Sequence, residues 1–238
     1  MNWNISKFNN LYNELDNLLS KTLWIKEYVW YKDKLYQIKS WNLSISSFVR
    51  RYFDELRNFW YIRNELIHKY HDYIDITDST INNIQKYINI FKNPKTCYDF
   101  FKVDIYFCNE NNLLVDIIKI MNKNVFTHIP VYSTDNKFIW ILTESNITCF
   151  IWENIENDWT LLLENIKISD INLENGSDVY EFISRKTTIY EIEDKFYNSI
   201  NKNKRLGAIF ITNLWKKKEK IDGIITAWDM PKIKDLYL

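Results

Sequence analysis

Apolar residues in the first hundred positions recur at helical spacing. The first stripe falls at i, i+3, i+7, i+10 and i+11: Phe8, Leu11, Leu15, Leu18 and Leu19. Polar residues fill the opposite face, so this stripe predicts an amphipathic helix. A second helix is predicted to run from a serine cap at Ser44, Ser46 or Ser47 to about Tyr70. A third is predicted from Asp78 to Pro94, where proline stops it. Together they predict a small helical bundle.

The pattern changes after Pro94 to short apolar runs that alternate with helices. Strand, helix, strand and strand are predicted at 104–108, 113–121, 128–133 and 137–143. The same order returns at four later segments: 179–184, 188–200, 206–213 and 221–226. A repeat with a period of about 80 residues indicates two units that cover each other's exposed sheet face.

Composition sets the class of protein. Apolar residues make up 46% of the 238-residue chain, enough for a folded core. Basic and acidic residues both total 31, so no overall field draws the chain to nucleic acid or to a membrane. The three cysteines are far apart, and no apolar run approaches the length of a membrane span. We therefore predict a soluble, cytoplasmic protein that makes no membrane contact.

Residues 223–229 carry the clearest motif, and they resemble the CBS domain family. The family pattern is a glycine, two apolar residues, Thr or Ser, two variable residues and Asp, which here places Thr226 and Asp229 where a strand gives way to a helix. The resemblance implies tandem β-α-β-β-α repeats that bind an adenine nucleotide such as ATP, ADP or AMP. It also implies that Asp229 binds ribose and that Thr226 contacts phosphate. Thr188 joins this candidate nucleotide-binding set.

The equivalent stretch of the first repeat is residues 140–146, which contribute Thr143 and Asn146 as further nucleotide-binding candidates. Here Trp140 stands where the family usually has glycine, and Asn146 where it has aspartate. An asparagine lacks the charge-assisted hydrogen bonds of a carboxylate. The prediction therefore favours the second site, around Thr226 and Asp229.

The predicted second helix carries Arg63, Asn64, His68 and Tyr70, whose Arg-x4-His-x-Tyr spacing resembles the HEPN domains of toxin families. The resemblance implies a homodimer that cleaves RNA without a metal ion, with Arg63, Asn64 and His68 catalytic and Tyr70 open to modification. Histidine suits proton transfer and arginine suits phosphate binding. Residues five apart are separated by about 140° on a helix, so Arg63 and His68 do not share a narrow stripe.

The sequence therefore predicts an α plus α/β chain. Residues 1–98 form a HEPN-like helical bundle, and residues 99–238 form a CBS pair with motifs at about 102–158 and 168–238. The leading hypothesis is an adenine nucleotide sensor that regulates a HEPN ribonuclease. The alternative is a non-catalytic regulatory or scaffolding protein. No metal site is predicted, His128 is interpreted as a packed or rim residue, and the lysine-rich run 216–220 as a loop between strands.

Overall fold

The computed structural model describes residues 3–68, 75–155, 162–175, 178–201 and 205–237. The chain forms two compact units, each described here by itself. Unit 1 comprises Met1–Thr96, Thr187–Lys195 and Pro231–Leu238, and unit 2 comprises Cys97–Lys186 and Phe196–Met230. The sequence-based division assigns the last two segments of unit 1 to the second repeat instead.

Unit 1 is helical, as predicted. The described residues of its N-terminal part form five helices: α1 (Trp3–Thr22), α2 (Tyr31–Ser40), α3 (Ser46–Arg51), α4 (Phe53–His68) and α5 (Asp78–Lys92). The continuous helix predicted for 44–70 is wrong, because the backbone leaves helical geometry at Tyr52 (φ −106°, ψ 24°). Helix α2 was not predicted at all.

Each helix of unit 1 buries an apolar stripe. The predicted face of α1 is buried through Phe8, Leu11, Leu15 and Leu19. Helix α5 begins after Thr77, whose side chain accepts a hydrogen bond from the Thr80 amide, and it ends before Pro94. These stripes form the core of the helical part, where burial of apolar side chains supplies the main stabilising free energy.

The later segments of unit 1 are joined to its helices by specific contacts. The Tyr190 ring lies 5.4 Å from Phe48 and 4.9 Å from Tyr237. The Tyr237 hydroxyl donates to Glu193 at 2.8 Å, and Arg50 forms an ion pair with Asp194. Residues from the end of the sequence are therefore part of the packed interior of unit 1.

Unit 2 contains two three-stranded sheets with the same topology. The strands are β1 (Cys108–Asn109), β2 (His128–Tyr132) and β3 (Phe138–Thr143), then β4 (Asp178–Ser184), β5 (Arg205–Thr212) and β6 (Gly223–Thr226). In each sheet the first pair is parallel and the second pair antiparallel. The predicted order of strands is confirmed, although β1 is shorter than the predicted run 104–108.

Helices complete the repeats. They are α6 (Cys97–Phe101), α7 (Leu114–Asn124), α8 (Glu144–Asn154), α9 (Ile189–Asn201) and α10 (Met230–Asp235). Helix α9 begins with residues of unit 1 and ends with residues of unit 2. The helices predicted at 113–121 and 188–200 are confirmed as α7 and α9, and α6 was not predicted.

Two apolar clusters form the core of unit 2. One lies within the first repeat and includes Leu114, Ile117, Ile129 and Leu142, together with Ile168 from the segment that follows. The other is shared between the sheets: Phe138, Ile141, Ala208, Phe210 and Ile221. The shared cluster covers one face of each sheet, as the repeat predicts.

The glycine of the second motif has a steric role. A Cβ atom built on Gly223 would lie 2.2 Å from the carbonyl oxygen of Phe101, because the chain at Lys102 bridges to Gly223. Trp140 holds the equivalent place in β3, where its ring packs on Tyr180 at 4.7 Å. Gly223 therefore leaves room for the neighbouring backbone, whereas Trp140 places a ring against β4.

Candidate functional site

Thr226 and Asp229 lie at the end of β6, where a short 3-10 turn, Ala227–Asp229, leads into α10. Oδ2 of Asp229 accepts hydrogen bonds from the Thr226 amide at 2.8 Å and from its hydroxyl at 3.2 Å. Both residues remain partly exposed, and Trp228 between them is 84% exposed. The motif is thus a helix cap whose polar groups still reach solvent.

Thr143 and Asn146 repeat this cap at the end of β3, but their surroundings are different. They are 1% and 2% exposed. Oδ1 of Asn146 accepts from both the amide and the hydroxyl of Thr143, while its amide group donates to the Leu173 carbonyl at 2.9 Å. Because these groups are buried and paired, a ligand reaches neither side chain without displacing the segment around Leu173.

Thr188 is also engaged, and it belongs to unit 1. Its hydroxyl donates to the Ser44 carbonyl at 2.7 Å and lies 3.0 Å from a carboxylate oxygen of Glu191. The same carboxylate accepts from the Thr188 amide, which caps α9. The structure therefore gives Thr188 a capping role and leaves its hydroxyl buried.

A cavity of about 730 Å³ lies elsewhere in unit 2. Its wall combines the segment before β1, the end of β2 and the loop before β6: Lys102, Asp104, Phe107, Tyr132, Lys218, Lys220 and Asp222 among others. Phe107 and Tyr132 meet edge to face with their ring centroids 5.2 Å apart. Pockets that bury small organic ligands span ~300–1,000 Å³, so this cavity has the size for one.

The charges of the cavity favour an anion that carries hydroxyl groups. Asp222 is neutralised by Arg185, whose Nε and Nη2 atoms both lie 2.7 Å from the same carboxylate oxygen. Three lysines, Lys102, Lys218 and Lys220, remain on the wall with the carboxylates of Asp104 and Glu219, which leaves one positive charge in excess. Ammonium groups bind phosphate, and a carboxylate accepts hydrogen bonds from a sugar.

None of the nucleotide-binding residues predicted from sequence lines this cavity. The motif around Thr226 was visible because it resembles a family pattern, whereas the cavity is assembled from loops with no fixed spacing. One signal was present in the sequence, since the lysine-rich run 216–220 lies between two strands and supplies two of the lysines. The cavity is the stronger candidate binding place, because its volume suits a small ligand whereas the cap at Thr226 lies at the surface.

His128 is packed, in agreement with its interpretation from sequence. Its Nδ1 atom lies 2.7 Å from the Thr127 hydroxyl, and Nε2 lies 3.3 Å from Oδ2 of Asp178 without hydrogen-bond alignment. Asp178 is paired more closely with Arg205, at 3.0 Å. Burial lowers the pKa of His128 below its ordinary value, and Asp178 only partly opposes this change.

The candidate catalytic residues of unit 1 lie on α4. Arg63 is partly exposed, and its guanidinium carbon lies 5.6 Å from the centroid of the Tyr12 ring. Asn64 follows it and is also partly exposed. His68 is the last residue of α4, but its side chain lies outside the described part of the structure, as does all of Tyr70. No contact between Arg63 and His68 is therefore described.

Within the described ranges, no group of three or more His, Cys, Asp or Glu side chains is placed to hold a metal ion. The same residues contain no helix with the length and apolar character needed to cross a membrane.

A family model described as "CBS domain" matches residues 98–153. These residues include most of α6, the first three-stranded sheet, α7 and most of α8. Residues 98–153 are therefore similar to the CBS domain family. The strand order, parallel pairing and antiparallel pairing of the CBS domain are repeated in the second sheet of unit 2, which supports the tandem arrangement.

Several proteins are similar to parts of this chain. A homoserine O-acetyltransferase from Methanobrevibacter ruminantium is 27% identical over 105 residues, a match that spans 44% of this chain and 20% of the relative. Among solved structures, the CBS domain pair of protein MJ0100, in complex with 5′-methylthioadenosine and S-adenosyl-L-methionine, is 12% identical. That match covers 60% of this chain and 98% of the other, with a TM-score of 0.43. The CBS domain of a membrane protein from Sphaerobacter thermophilus is 16% identical and covers 64% and 95%, with a TM-score of 0.45.

Proposed function

We propose that this chain is a regulatory protein in which unit 2 binds an adenine nucleotide. The observation that carries the proposal is the cavity of about 730 Å³ in the unit that contains the CBS domain. Lysines on its wall suit the phosphates, Asp104 suits the ribose hydroxyls, and the rings of Phe107 and Tyr132 suit the base. ATP, ADP and AMP are the candidate ligands.

Thr226 and Asp229 form the second part of this proposal. Their partly exposed cap is the place where the CBS pattern positions ribose and phosphate contacts, and Asp229 keeps a carboxylate there. Thr143, Asn146 and Thr188 are weaker candidates, since their polar groups are buried and paired. The proposal therefore names two candidate binding places, the cavity and the cap at Thr226 and Asp229, and experiment can distinguish them.

Calorimetric titration of the full chain with ATP, ADP and AMP tests both places. Lys102→Ala and Lys220→Ala are expected to weaken binding at least about tenfold if phosphate lies in the cavity, since each removes a charged contact. Asp229→Ala is expected to weaken binding similarly if the cap takes part. Lys186→Ala, which removes an exposed lysine outside the cavity, is the matched control. Absence of heat with all three nucleotides would overturn the proposal.

We further propose that nucleotide binding regulates the N-terminal helices, which act as a homodimer. Pro231, which belongs to unit 1, follows Asp229 by two residues along the chain. A ligand that prefers one arrangement of this segment shifts the equilibrium by its differential affinity. Sedimentation velocity with and without nucleotide measures the oligomeric state, and a monomer under both conditions would contradict this part.

Unit 1 has two candidate functions. One is metal-independent RNA cleavage by Arg63, Asn64 and His68, which is supported by the HEPN-like spacing. The other is a non-catalytic regulatory or scaffolding role, which is favoured by the contact between Arg63 and Tyr12, because this contact gives the guanidinium a packing function.

Incubation of the full chain with RNA in EDTA, with and without nucleotide, distinguishes the two. Cleavage that is lost in both Arg63→Ala and His68→Ala supports the ribonuclease. Arg57→Ala is the matched control, since Arg57 lies earlier on the same helix and pairs with Asp54 at 2.8 Å. Equal activity in all variants, or none in the wild type, supports the non-catalytic role.

A further inference from the structure

Three aromatic rings of unit 2 form a box whose walls are steeply inclined to one another. Phe138 and Trp140 lie two residues apart on β3, and Tyr180 lies on β4. The Tyr180 ring is 5.2 Å from Phe138 at 69° and 4.7 Å from Trp140 at 83°. We call these three residues the aromatic box. The electron-rich face of an aromatic ring attracts a cation, and three neighbouring rings can act on the same one.

An ammonium group already lies on the aromatic box. Nζ of Lys217 is 5.3 Å from the centroid of Phe138, 5.7 Å from Trp140 and 5.8 Å from Tyr180. All three distances are within the ~6 Å range of cation–π attraction. None of the ion pairs found among the described residues includes Lys217. The ring faces are therefore the contacts the structure describes for this charge.

The loop that carries Lys217 is exposed and is held by its own contacts. The carboxylate of Glu219 accepts hydrogen bonds from the amides of Leu214 and Lys216, at 2.6 and 3.3 Å. Trp215 adopts a left-handed conformation with φ 55°. Because these contacts do not involve the Lys217 side chain, it can leave the box while the loop keeps its fold.

Space next to the aromatic box is available to a larger ligand. Trp140 and Lys217 also line a cavity of about 410 Å³, and the same wall includes the carboxylates of Glu110 and Glu174. One of the Glu110 oxygens accepts from the Thr134 amide. Two carboxylates and an aromatic wall favour a positively charged ligand over an anion.

We propose that the aromatic box is a binding site for an organic ammonium ion, with Lys217 as a built-in competitor. An alkylated ammonium is the fitting class of ligand, since recognition of quaternary ammonium groups is a known use of aromatic cages. A primary ammonium such as Lys217 is a compact, strongly hydrated charge. Tethering offsets this disadvantage, because a side chain on a short loop has an effective concentration in the millimolar range, about 1 mM or above.

The test is a calorimetric titration of the full chain with choline at constant ionic strength, together with its uncharged isostere 3,3-dimethyl-1-butanol. Lys217→Ala removes the competitor, so its affinity for choline is expected to exceed that of the wild type by about tenfold or more. The isostere has the same shape without charge and is expected to bind at least about tenfold more weakly. Lys216→Ala, which alters the neighbouring exposed lysine, is expected to match the wild type.

A second variant keeps the test independent of loop effects. Trp140→Leu removes one wall and is expected to abolish the gain when combined with Lys217→Ala, while circular dichroism reports whether the double variant is folded. Tyr180→Leu with Lys217→Ala provides the same readout if the tryptophan variant does not fold. Unchanged choline affinity in Lys217→Ala, or equal binding of choline and the isostere, overturns the proposal. These outcomes do not depend on nucleotide binding.

Discussion

Asn146 stands where the CBS pattern carries aspartate, and its buried amide has a function that a carboxylate lacks. The amide group donates to the Leu173 carbonyl, while the amide oxygen serves Thr143. A carboxylate would still accept hydrogen bonds from Thr143, but it would place a negatively charged oxygen against the carbonyl oxygen of Leu173. Asparagine at this position therefore stabilises the segment after α8 as well as the cap of the helix.

We predict that Asn146→Asp lowers the free energy of unfolding at pH 7 by about 1–3 kcal/mol, because the hydrogen bond to the Leu173 carbonyl is lost and a negatively charged oxygen takes its place. The deficit should shrink near pH 4, since a protonated carboxyl donates to the Leu173 carbonyl. Urea titrations at both pH values measure this. Asp229→Asn is the matched control and should change stability little, and equal stability of the two variants would contradict the prediction.

Gly223 leads to a second prediction about a single residue. Alanine would place its Cβ 2.2 Å from a backbone oxygen of Phe101, and backbone has no rotamer to relieve the contact. Gly223→Ala should therefore destabilise unit 2 by about 1–3 kcal/mol. Gly207→Ala, where the nearest atom belongs to the His128 side chain at 2.6 Å, should cost less. Thermal unfolding ranks the two, and the reverse order would contradict this explanation.

The sequence could predict single residues only where a spacing was shared with a known pattern. Thr226 and Asp229 were selected as candidates in this way. The roles of Asn146 and Trp140 could not be predicted, because each depends on a partner, Leu173 or Tyr180, that is distant along the chain.

At the scale of elements, the C-terminal segment is part of a packed interior. Tyr237 is 0% exposed, its ring meets Tyr190 edge to face, and its hydroxyl donates to Glu193. Such a side chain contributes both apolar burial and a hydrogen bond.

Tyr237→Ala is predicted to lower the free energy of unfolding of unit 1 by about 3–5 kcal/mol, as for other large aromatic truncations. Tyr237→Phe keeps the ring and loses one hydrogen bond, so a loss of about 1 kcal/mol is expected. Hydrogen exchange of α3 and α9 amides measures the effect locally. Similar protection in the alanine variant and the wild type would show that the segment does not stabilise unit 1.

Elements with a regular apolar stripe were predicted, and those with mixed faces were not. Helix α2 was missed because Lys34 lies on its buried side, at 4% exposed, where it pairs with Asp16 at 2.7 Å. A lysine at that spacing predicts a solvent-exposed position. Here the ion pair with Asp16 on α1 compensates for burial of the charge.

For the molecule as a whole, His128 predicts how stability depends on pH. Its pKa in the folded protein is below the ordinary value of 6.5, because burial outweighs the attraction of Asp178. Arg205 also lowers this pKa, and Glu144 raises it slightly. The unfolded chain therefore takes up a proton near pH 6.5 that the folded chain does not, so stability falls as pH decreases below this value.

Urea titrations between about pH 7.5 and pH 5.5 measure this slope. His128→Gln lacks the titrating group and is expected to show a smaller loss of stability over the same range. Lys186→Ala serves as a neutral surface control. An identical slope in His128→Gln and the wild type would assign the pH dependence to other groups.

The fold class followed from the change of periodicity after Pro94 and from the repeated order of strands. The cavity did not, because Lys102 and Phe107 precede β1, Tyr132 ends β2 and Lys220 precedes β6, and tertiary packing brings these three segments together. Sequence spacing carries information on regular elements, and it carries little on surfaces assembled from irregular ones.

The apolar cluster shared by Phe138, Ile141, Ala208 and Phe210 has a consequence for how such a chain evolves. The two copies of the repeat complete a single interior, so either copy alone would leave one face of its sheet exposed. A genetic exchange that transferred only one copy would yield a protein in which one apolar face of the sheet is exposed to solvent. Inheritance of this region is therefore expected to proceed as a single block, even while the binding surfaces of the two copies diverge.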